Sequence, residues 1–318
     1  MTEAISNKTV NELLAEQLTS WDTARTNYEA LQEVESKVLD VDGYTFRVQF
    51  NPARIRSSAA KVDPKSIQER KCFLCKDNLP AAQKGLKFGE GYTVLVNPFP
   101  IFPQHLTIPA VEHKDQLIRN RFVHMLELAE RLSGFVLFYN GPKCGASAPD
   151  HAHFQAGNKG FLPLESEWRR AAGEPFYSKE GTALYALKEY PAPMLVLTSD
   201  SMEKAAGLFD QIYTLLDKGV EVEPMMNLLA WYEDGQWVVC IIPRTLHRPV
   251  CYFAEGEENL LISPASVDLG GVFITPLEKD FEKITSQDIR NILQEVCLTG
   301  SGLNELVNEL NQVLLSEA

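Results

Sequence analysis

Apolar positions along the chain switch between two periods. Val10, Leu13, Leu14, Leu18, Trp21, Tyr28 and Leu31 recur at helical spacing and predict one or two amphipathic helices at the start. Residues 43–50 alternate as a strand does, and Asn51-Pro52 ends it. Residues 92–96 form a second expected strand, stopped by Asn97-Pro98-Phe99-Pro100, and residues 105–108 a third. Leu117, Phe122, Met125, Leu126 and Leu132 give residues 114–132 one apolar face and predict a helix. Phe135 to Tyr139 is a short unbroken apolar run, the mark of a buried strand. Residues 165–193 are polar and mixed, with Pro and Gly, and read as a connector. A strand at 194–197 follows, then a helix capped by Asp200 and running to Leu216. The apolar runs 226–232 and 236–242 flank Asp234-Gly235, a strong hairpin signal. A strand at 272–274 and helices at 286–297 and 301–315 close the chain.

Hairpins rather than a strict βαβ rhythm predict an α+β fold with an antiparallel sheet. The two halves share a layout of strand, hairpin, helix and strand, without a clear sequence repeat. The expected division is at residues 1–185 and 186–318.

Composition narrows the function. The 318 residues are 45% hydrophobic and 23% charged, as in a globular protein. No apolar run approaches the roughly 20 residues that span a bilayer. The first residues lack a basic stretch followed by an apolar one, so no secretory signal is read there, and six Cys suggest a reducing cytoplasm. A net charge of −13 argues against a general nucleic-acid binder. One segment runs the other way: Arg54, Arg56, Lys61, Lys65, Arg70, Lys71 and Lys76 face only Asp63 and Glu69 between positions 54 and 76.

Two of the six histidines fall in His151-Ala152-His153-Phe154-Gln155. In an extended segment, residues two apart share a face, so His151, His153 and Gln155 would point one way. A bare His-x-His pair serves metal ligands, catalytic residues and surface histidines alike. Its context is more telling. The buried run 135–139 leads into Asn140 to Asp150, a loop of small residues whose backbone N–H groups, with Ser147 and Lys143, suit an anion. Upstream, Cys72-Phe73-Leu74-Cys75 has the spacing to clasp a Zn²⁺ at about 2.3 Å from each sulfur. A redox Cys-x-x-Cys normally opens a helix after a strand, whereas a turn follows here. His105, His113 and His151 are the candidates for the remaining ligands.

Taken in order, Asn51-Pro52 with Arg54, Cys72-Phe73-Leu74-Cys75 with Asn78, Asn97-Pro98-Phe99-Pro100, Gly145-Ala146-Ser147 and His151-x-His153-x-Gln155 resemble one family. It is the galactose-1-phosphate uridylyltransferase branch of the histidine-triad superfamily, with its dinucleoside-tetraphosphate phosphorylases and GDP-hexose phosphorylases. The set spans roughly residues 45 to 160, and Asn227, Pro243-Arg244 and His247-Arg248-Pro249 match more faintly. The resemblance implies two histidine-triad-like halves in one globular unit. It implies that His153 attacks the α-phosphorus of a nucleotide and that Gln155 hydrogen-bonds a phosphoryl oxygen. Ser147 and Gly145 would bind the neighbouring phosphate. Arg54, Arg56, Asn97 and Asn140 would lie near phosphate or nucleotide, and Cys72, Cys75, His113 and His151 would hold a structural zinc, with His105 as the alternative to His113. Phe154 favours the GDP-hexose and dinucleoside phosphorylases over the uridylyltransferases, Leu162-Pro163-Leu164-Glu165 is similar to the GDP-hexose type, and Asp150 is an added residue before the first His.

The expected reaction is transfer of a nucleoside monophosphate from a nucleotide sugar or dinucleoside polyphosphate to phosphate or a sugar phosphate. The expected partners are those small molecules, not nucleic acid or membrane; a homodimer is left open. Hydrolysis and non-catalytic nucleotide binding by a zinc-stabilised protein are the competing readings. Gln155 stands where simple histidine-triad hydrolases carry a third His, which favours transfer.

Overall fold

A computed structural model describes residues 4–55 and 62–316. Arg56 and Lys61 of the basic segment lie outside the described residues. Thirteen strands form two sheets among the described residues. The larger sheet has ten strands: β3 (Gly85–Phe88), β4 (Tyr92–Val96), β5 (His105–Pro109), β6 (Phe135–Asn140), β7 (His153–Asn158), β8 (Tyr177–Lys179), β9 (Thr182–Leu187), β10 (Met194–Ser199), β11 (Met226–Glu233) and β12 (Gln236–Pro243). Their spatial order is β3-β4-β5-β7-β6-β11-β12-β10-β9-β8. Every neighbouring pair is antiparallel. Five strands from each half meet at the central pair β6–β11, where Asn140 opposes Asn227. The expected division at 185/186 falls inside β9.

Strand alternation assigns the two faces. Phe135, Leu137 and Tyr139 of β6 pack with Phe154 and Ala156 of β7 against the helices Phe122–Arg131, Met202–Leu216 and Gly300–Ser316. Val136 and Phe138 face the other way, with Leu229, Trp231, Val238 and Cys240. There they meet Phe46, Val48 and Phe273 of the second sheet, β1 (Ser36–Val41), β2 (Tyr44–Phe50) and β13 (Val272–Thr275), and the helices Pro163–Ala172 and Ser286–Val296. Both faces of the large sheet are covered, which is why β6 reads as an unbroken apolar run.

The sequence expectations differ from this in three places, and a fourth, the strand at 43–50, is found as Tyr44–Phe50 with a partner that was not foreseen. The helix expected over 114–132 begins only at Phe122, after an irregular stretch and a short 3-10 turn at Arg119–Arg121. The stretch 165–193 is no connector: it holds the helix Pro163–Ala172, opened by Pro163 with Glu165 reaching back to the Leu162 N–H, and then β8 and β9. Ser201, not Asp200, caps the helix Met202–Leu216 by accepting the Lys204 N–H. The strand at 43–50 is the second arm of a hairpin turned by Asp42 and Gly43, both at positive φ (56° and 80°), as Asp234 and Gly235 turn β11 into β12 (51° and 80°).

One glycine shapes the floor of the site. A Cβ at Gly157 would lie 2.2 Å from the Phe102 ring, so β7 has no side chain where that ring packs against Phe138 and the edge of His105.

Candidate active site

β7 starts at His153, and His151 lies in the bend before it. The shared face therefore applies to His153 and Gln155 only, because His151 turns away to join the cysteines. Its Nδ1 lies 3.3 Å from Cys72 Sγ, 3.6 Å from Cys75 Sγ and 3.2 Å from His113 Nδ1, while His113 Nδ1 is 3.2 Å from Cys75 Sγ. All four donor atoms lie within 4.8 Å of one another. Donors at zinc bond lengths on a tetrahedron are separated by about 3.3–3.8 Å, so the set fits one four-coordinate ion. His151 Nε2 donates to the Ala110 carbonyl at 2.8 Å, which leaves Nδ1 unprotonated for a metal. Asp150, the added residue, pairs with Arg70 and lies 4.0 Å from His113 Nε2. His105 is elsewhere, so the structure brings His113 to the cysteines.

His153 is 5% exposed. Its Nδ1 lies 2.8 Å from the His151 carbonyl oxygen. A carbonyl only accepts, so Nδ1 carries the proton and Nε2 keeps its lone pair. Burial pushes the imidazole down to about 4, so the ring is neutral at neutral pH. Its backbone is clamped by a residue the sequence did not reveal. The β6–β7 ladder ends at Phe138–Gln155, and beyond it the buried Gln116 fills the gap. Gln116 Nε2 donates to the carbonyls of Asn140 and His153 (3.1 and 3.0 Å), and its Oε1 accepts the His153 N–H at 2.7 Å. No periodicity marks a lone Gln beside Leu117 and Ile118.

Gln155 is oriented from behind. The Ile101 N–H donates to His105 Nδ1 at 3.1 Å, so neutral His105 carries its proton on Nε2, 3.0 Å from Gln155 Oε1. Burial, with Arg54 adding to it, pushes His105 down to about 3 and holds it neutral. Asn97 Nδ2 also approaches Gln155 Oε1, at 3.4 Å. With its oxygen engaged twice, Gln155 presents its NH₂ group to the cleft.

That cleft is lined by Arg54, Asn140, Gly145, Ser147 and Gln155 from the first half. His153 and Asn97 do not line it; they lie buried beside it. Asn97 is spent on Gln155, on Thr107 Oγ1 (2.9 Å) and on the Phe99 N–H (2.9 Å), so it positions other groups. Arg54 Nη1 donates to the Phe99 carbonyl at 2.8 Å; burial lowers it to about 10, so it stays charged. Asn140 Oδ1 accepts from the Ser266 N–H and from Asn227 Nδ2, both at 2.9 Å, which turns its NH₂ group outward. Gly145 has φ +93°, and a Cβ there would lie 2.6 Å from Ala265 Cβ, so the loop can run this close only with glycine. Lys143 pairs with Glu221 and does not line the cleft. Arg244 is a buried brace, donating to Asn227 Oδ1 (2.7 Å) and to four backbone carbonyls, and is no phosphate ligand.

Residues 13–158 match a family described as a domain of unknown function, DUF4922, and residues 168–317 match one described as GDPGP1-like, C-terminal domain. Comparison with the curated proteins returns no match. Among solved structures, the chain is similar to yeast Ap4A phosphorylase Apa2 in complex with AMP, with TM-score 0.61 and 18% identity over 93% of this chain and 97% of that one. For Apa2 alone the values are 0.63 and 16% over 94% and 99%, and for its complex with Ap4A 0.56 and 17% over 88% and 97%. At these identities the likeness is one of fold. With the GDPGP1-like match over residues 168–317 and the ordered motifs, it makes the chain similar to the dinucleoside-tetraphosphate phosphorylase and GDP-hexose phosphorylase branch of the histidine-triad superfamily.

Proposed function

We propose that the chain is a nucleotidyltransferase of the phosphorylase type, passing a nucleoside monophosphate from a GDP-hexose-type nucleotide sugar to phosphate through His153. The observation that carries this reading is the His153 ring, neutral and tautomerically fixed by the His151 carbonyl, beside a cleft lined with hydrogen-bond donors. In the first step Nε2 attacks the α-phosphorus and the bond to the bridging oxygen breaks, releasing the sugar phosphate. In the second an oxygen of inorganic phosphate attacks the same phosphorus, the P–N electron pair returns to the imidazole, and a nucleoside diphosphate leaves. The Gln155 NH₂ group would meet a phosphoryl oxygen as charge builds; Ser147, the Gly145 backbone and Arg54 would neutralise the rest. Asn97 and Asn140 would act at the nucleotide end, Asn97 through Gln155.

Cys72, Cys75, His113 and His151 would hold a structural zinc with no open coordination position. Such an ion would fix the bend whose His151 carbonyl accepts the hydrogen bond from His153 Nδ1. All six cysteines are free, consistent with a reducing cytoplasm, and no helix among the described residues is long and apolar enough to cross a membrane.

Dinucleoside polyphosphates are the second reading, supported by the likeness to Apa2 along nearly the whole chain. Both donors offer the same α-phosphate and differ in what leaves. A panel of GDP-, ADP- and UDP-sugars with Ap4A, scored for phosphate-dependent nucleoside diphosphate release, separates them. GDP release from a GDP-hexose is the expected result, and ADP release from Ap4A would favour the second reading. No phosphate-dependent product from any donor would sink both. On the active donor, Gln155→Ala is expected to lower kcat by about 10²–10³-fold, with a smaller change in KM, in steady-state assays.

A further inference from the structure

Behind the nucleophile lies a buried carboxyl that the steps above do not use. Glu223 belongs to the second half, in the loop between the helix Met202–Leu216 and β11, and is 3% exposed. Its Oε2 accepts the Ile118 N–H, and its Oε1 lies 2.5 Å from the hydroxyl of Tyr139, itself buried near the end of β6. The same hydroxyl lies 3.1 Å from the backbone carbonyl of Gln116. A phenol has one hydrogen, and here it faces two oxygens. A carbonyl only accepts, so an ionised Glu223 would leave one of the two contacts setting lone pair against lone pair in a buried site. With a proton on Oε1, Glu223 donates to Tyr139, Tyr139 donates to Gln116, and both contacts are hydrogen bonds. The surroundings favour that proton. Burial outweighs the donors around the carboxyl and the charge of Arg121, and raises it to about 7. The other titratable groups that feel its charge are Tyr139, Tyr213 on the helix Met202–Leu216 and Cys144 in the loop after β6; burial pushes all three up and they stay neutral.

We propose that Glu223 is a positioning residue for His153, the protonated head of a hydrogen-bond chain that runs through Tyr139 to Gln116 and joins the second half to the nucleophile. Its meaning in catalysis rests on the phosphorylase reading; its geometry does not. The Gln116 side chain is the far end: its Oε1 accepts the His153 N–H at 2.7 Å and its Nε2 donates to the His153 carbonyl at 3.0 Å. Gln116 is thus held through its backbone by Tyr139 and grips His153 with its side chain. Loss of the Glu223 proton turns the phenol hydrogen towards the carboxylate. The Gln116 carbonyl then faces an oxygen with nothing to donate. The clamp loses its anchor, and the imidazole loses the fixed backbone from which Nε2 must approach phosphorus in a narrow geometry. The carboxyl titrates higher in the folded protein than in the unfolded chain. The stability it contributes is therefore fully present below about pH 4.5 and is lost as pH rises through about 7. The clamp should loosen over the upper part of that range.

Glu223→Gln and Tyr139→Phe test the chain. The amide in Glu223→Gln donates as the protonated acid does, at every pH, while Tyr139→Phe removes the middle link. The Tm of wild type should fall relative to that of Glu223→Gln as pH rises from about 6 to about 8. Hydrogen exchange of the peptide spanning His153 is read by mass spectrometry and corrected for intrinsic base catalysis. It should speed up by about tenfold over that range in wild type, stay level in Glu223→Gln and be fast throughout in Tyr139→Phe. Adduct formation from GDP-glucose or Ap4A, followed without phosphate so that the acceptor does not titrate, should slow with the same midpoint in wild type and not in Glu223→Gln. A parallel course of wild type and Glu223→Gln in Tm and exchange, or wild-type protection in Tyr139→Phe, overturns the chain. Adduct formation that ignores pH while exchange responds overturns its role in placing His153. Failure of any adduct to form counts against the phosphorylase reading, while the thermal and exchange series still decide whether the proton anchors the clamp.

Discussion

His153→Ala is expected to abolish the nucleotidyl adduct and to lower phosphorolysis by at least about 10⁴-fold, the scale seen when a nucleophile is removed from its supporting groups. The fold should survive. Gln116 holds the His153 backbone through its N–H and carbonyl, and both bonds persist in the variant. Intact-protein mass spectrometry after mixing with donor but no phosphate reads the adduct directly, and a rapid-quench assay reads the rate. An adduct of unchanged yield in His153→Ala would assign the nucleophile to another residue.

The second large effect concerns the cysteines. Cys72→Ser should drop the metal content from about one zinc per chain towards none and lower Tm by about 5–10 °C. Activity should fall with it, although none of the four residues lines the cleft. The reason is a single hydrogen bond: the His151 backbone carries the carbonyl that fixes the His153 tautomer, while the His151 ring belongs to the four-residue cluster. Loosening the bend frees His153 Nδ1 from its acceptor. Elemental analysis with calorimetry decides the matter. Stoichiometric zinc in Cys72→Ser, or full turnover by chelated protein, would detach the metal from the site.

Much of this site was legible because its residues carry their chemistry in their type. Two thiols three positions apart, two imidazoles two apart and a loop of small residues remain unusual in any fold. Different roles for His151 and His153 were implied only by the resemblance, since alternation alone put both on one face. The chain bends between them, and alternation cannot see a strand that begins at the second of two histidines. Gln116 and His105 were hidden for a different reason. Each acts through what lies across the fold: Gln116 spans the end of a ladder, and His105 is useful because Ile101 claims one of its nitrogens. The helix and strands in 165–193 were missed because β8 is three residues long at the sheet's edge, with only Tyr177 turned inward, and offers no period to count. Arg244 reads as a phosphate-binding cation by type, and only its full set of partners shows it to be a brace.

The central pairing of β6 with β11 has a consequence for how such a molecule can be built. Either five-stranded half alone would end in a row of unsatisfied N–H and carbonyl groups beside buried apolar side chains, an edge primed to pair with a copy of itself. One chain running through both halves keeps two unlike edges at high effective concentration, so the unlike pairing wins over self-pairing. Freed from having to match itself, each half can change independently. The first half carries the His153 imidazole and the paired cysteines, and the second contributes Arg244, which braces Asn227 at the central pairing.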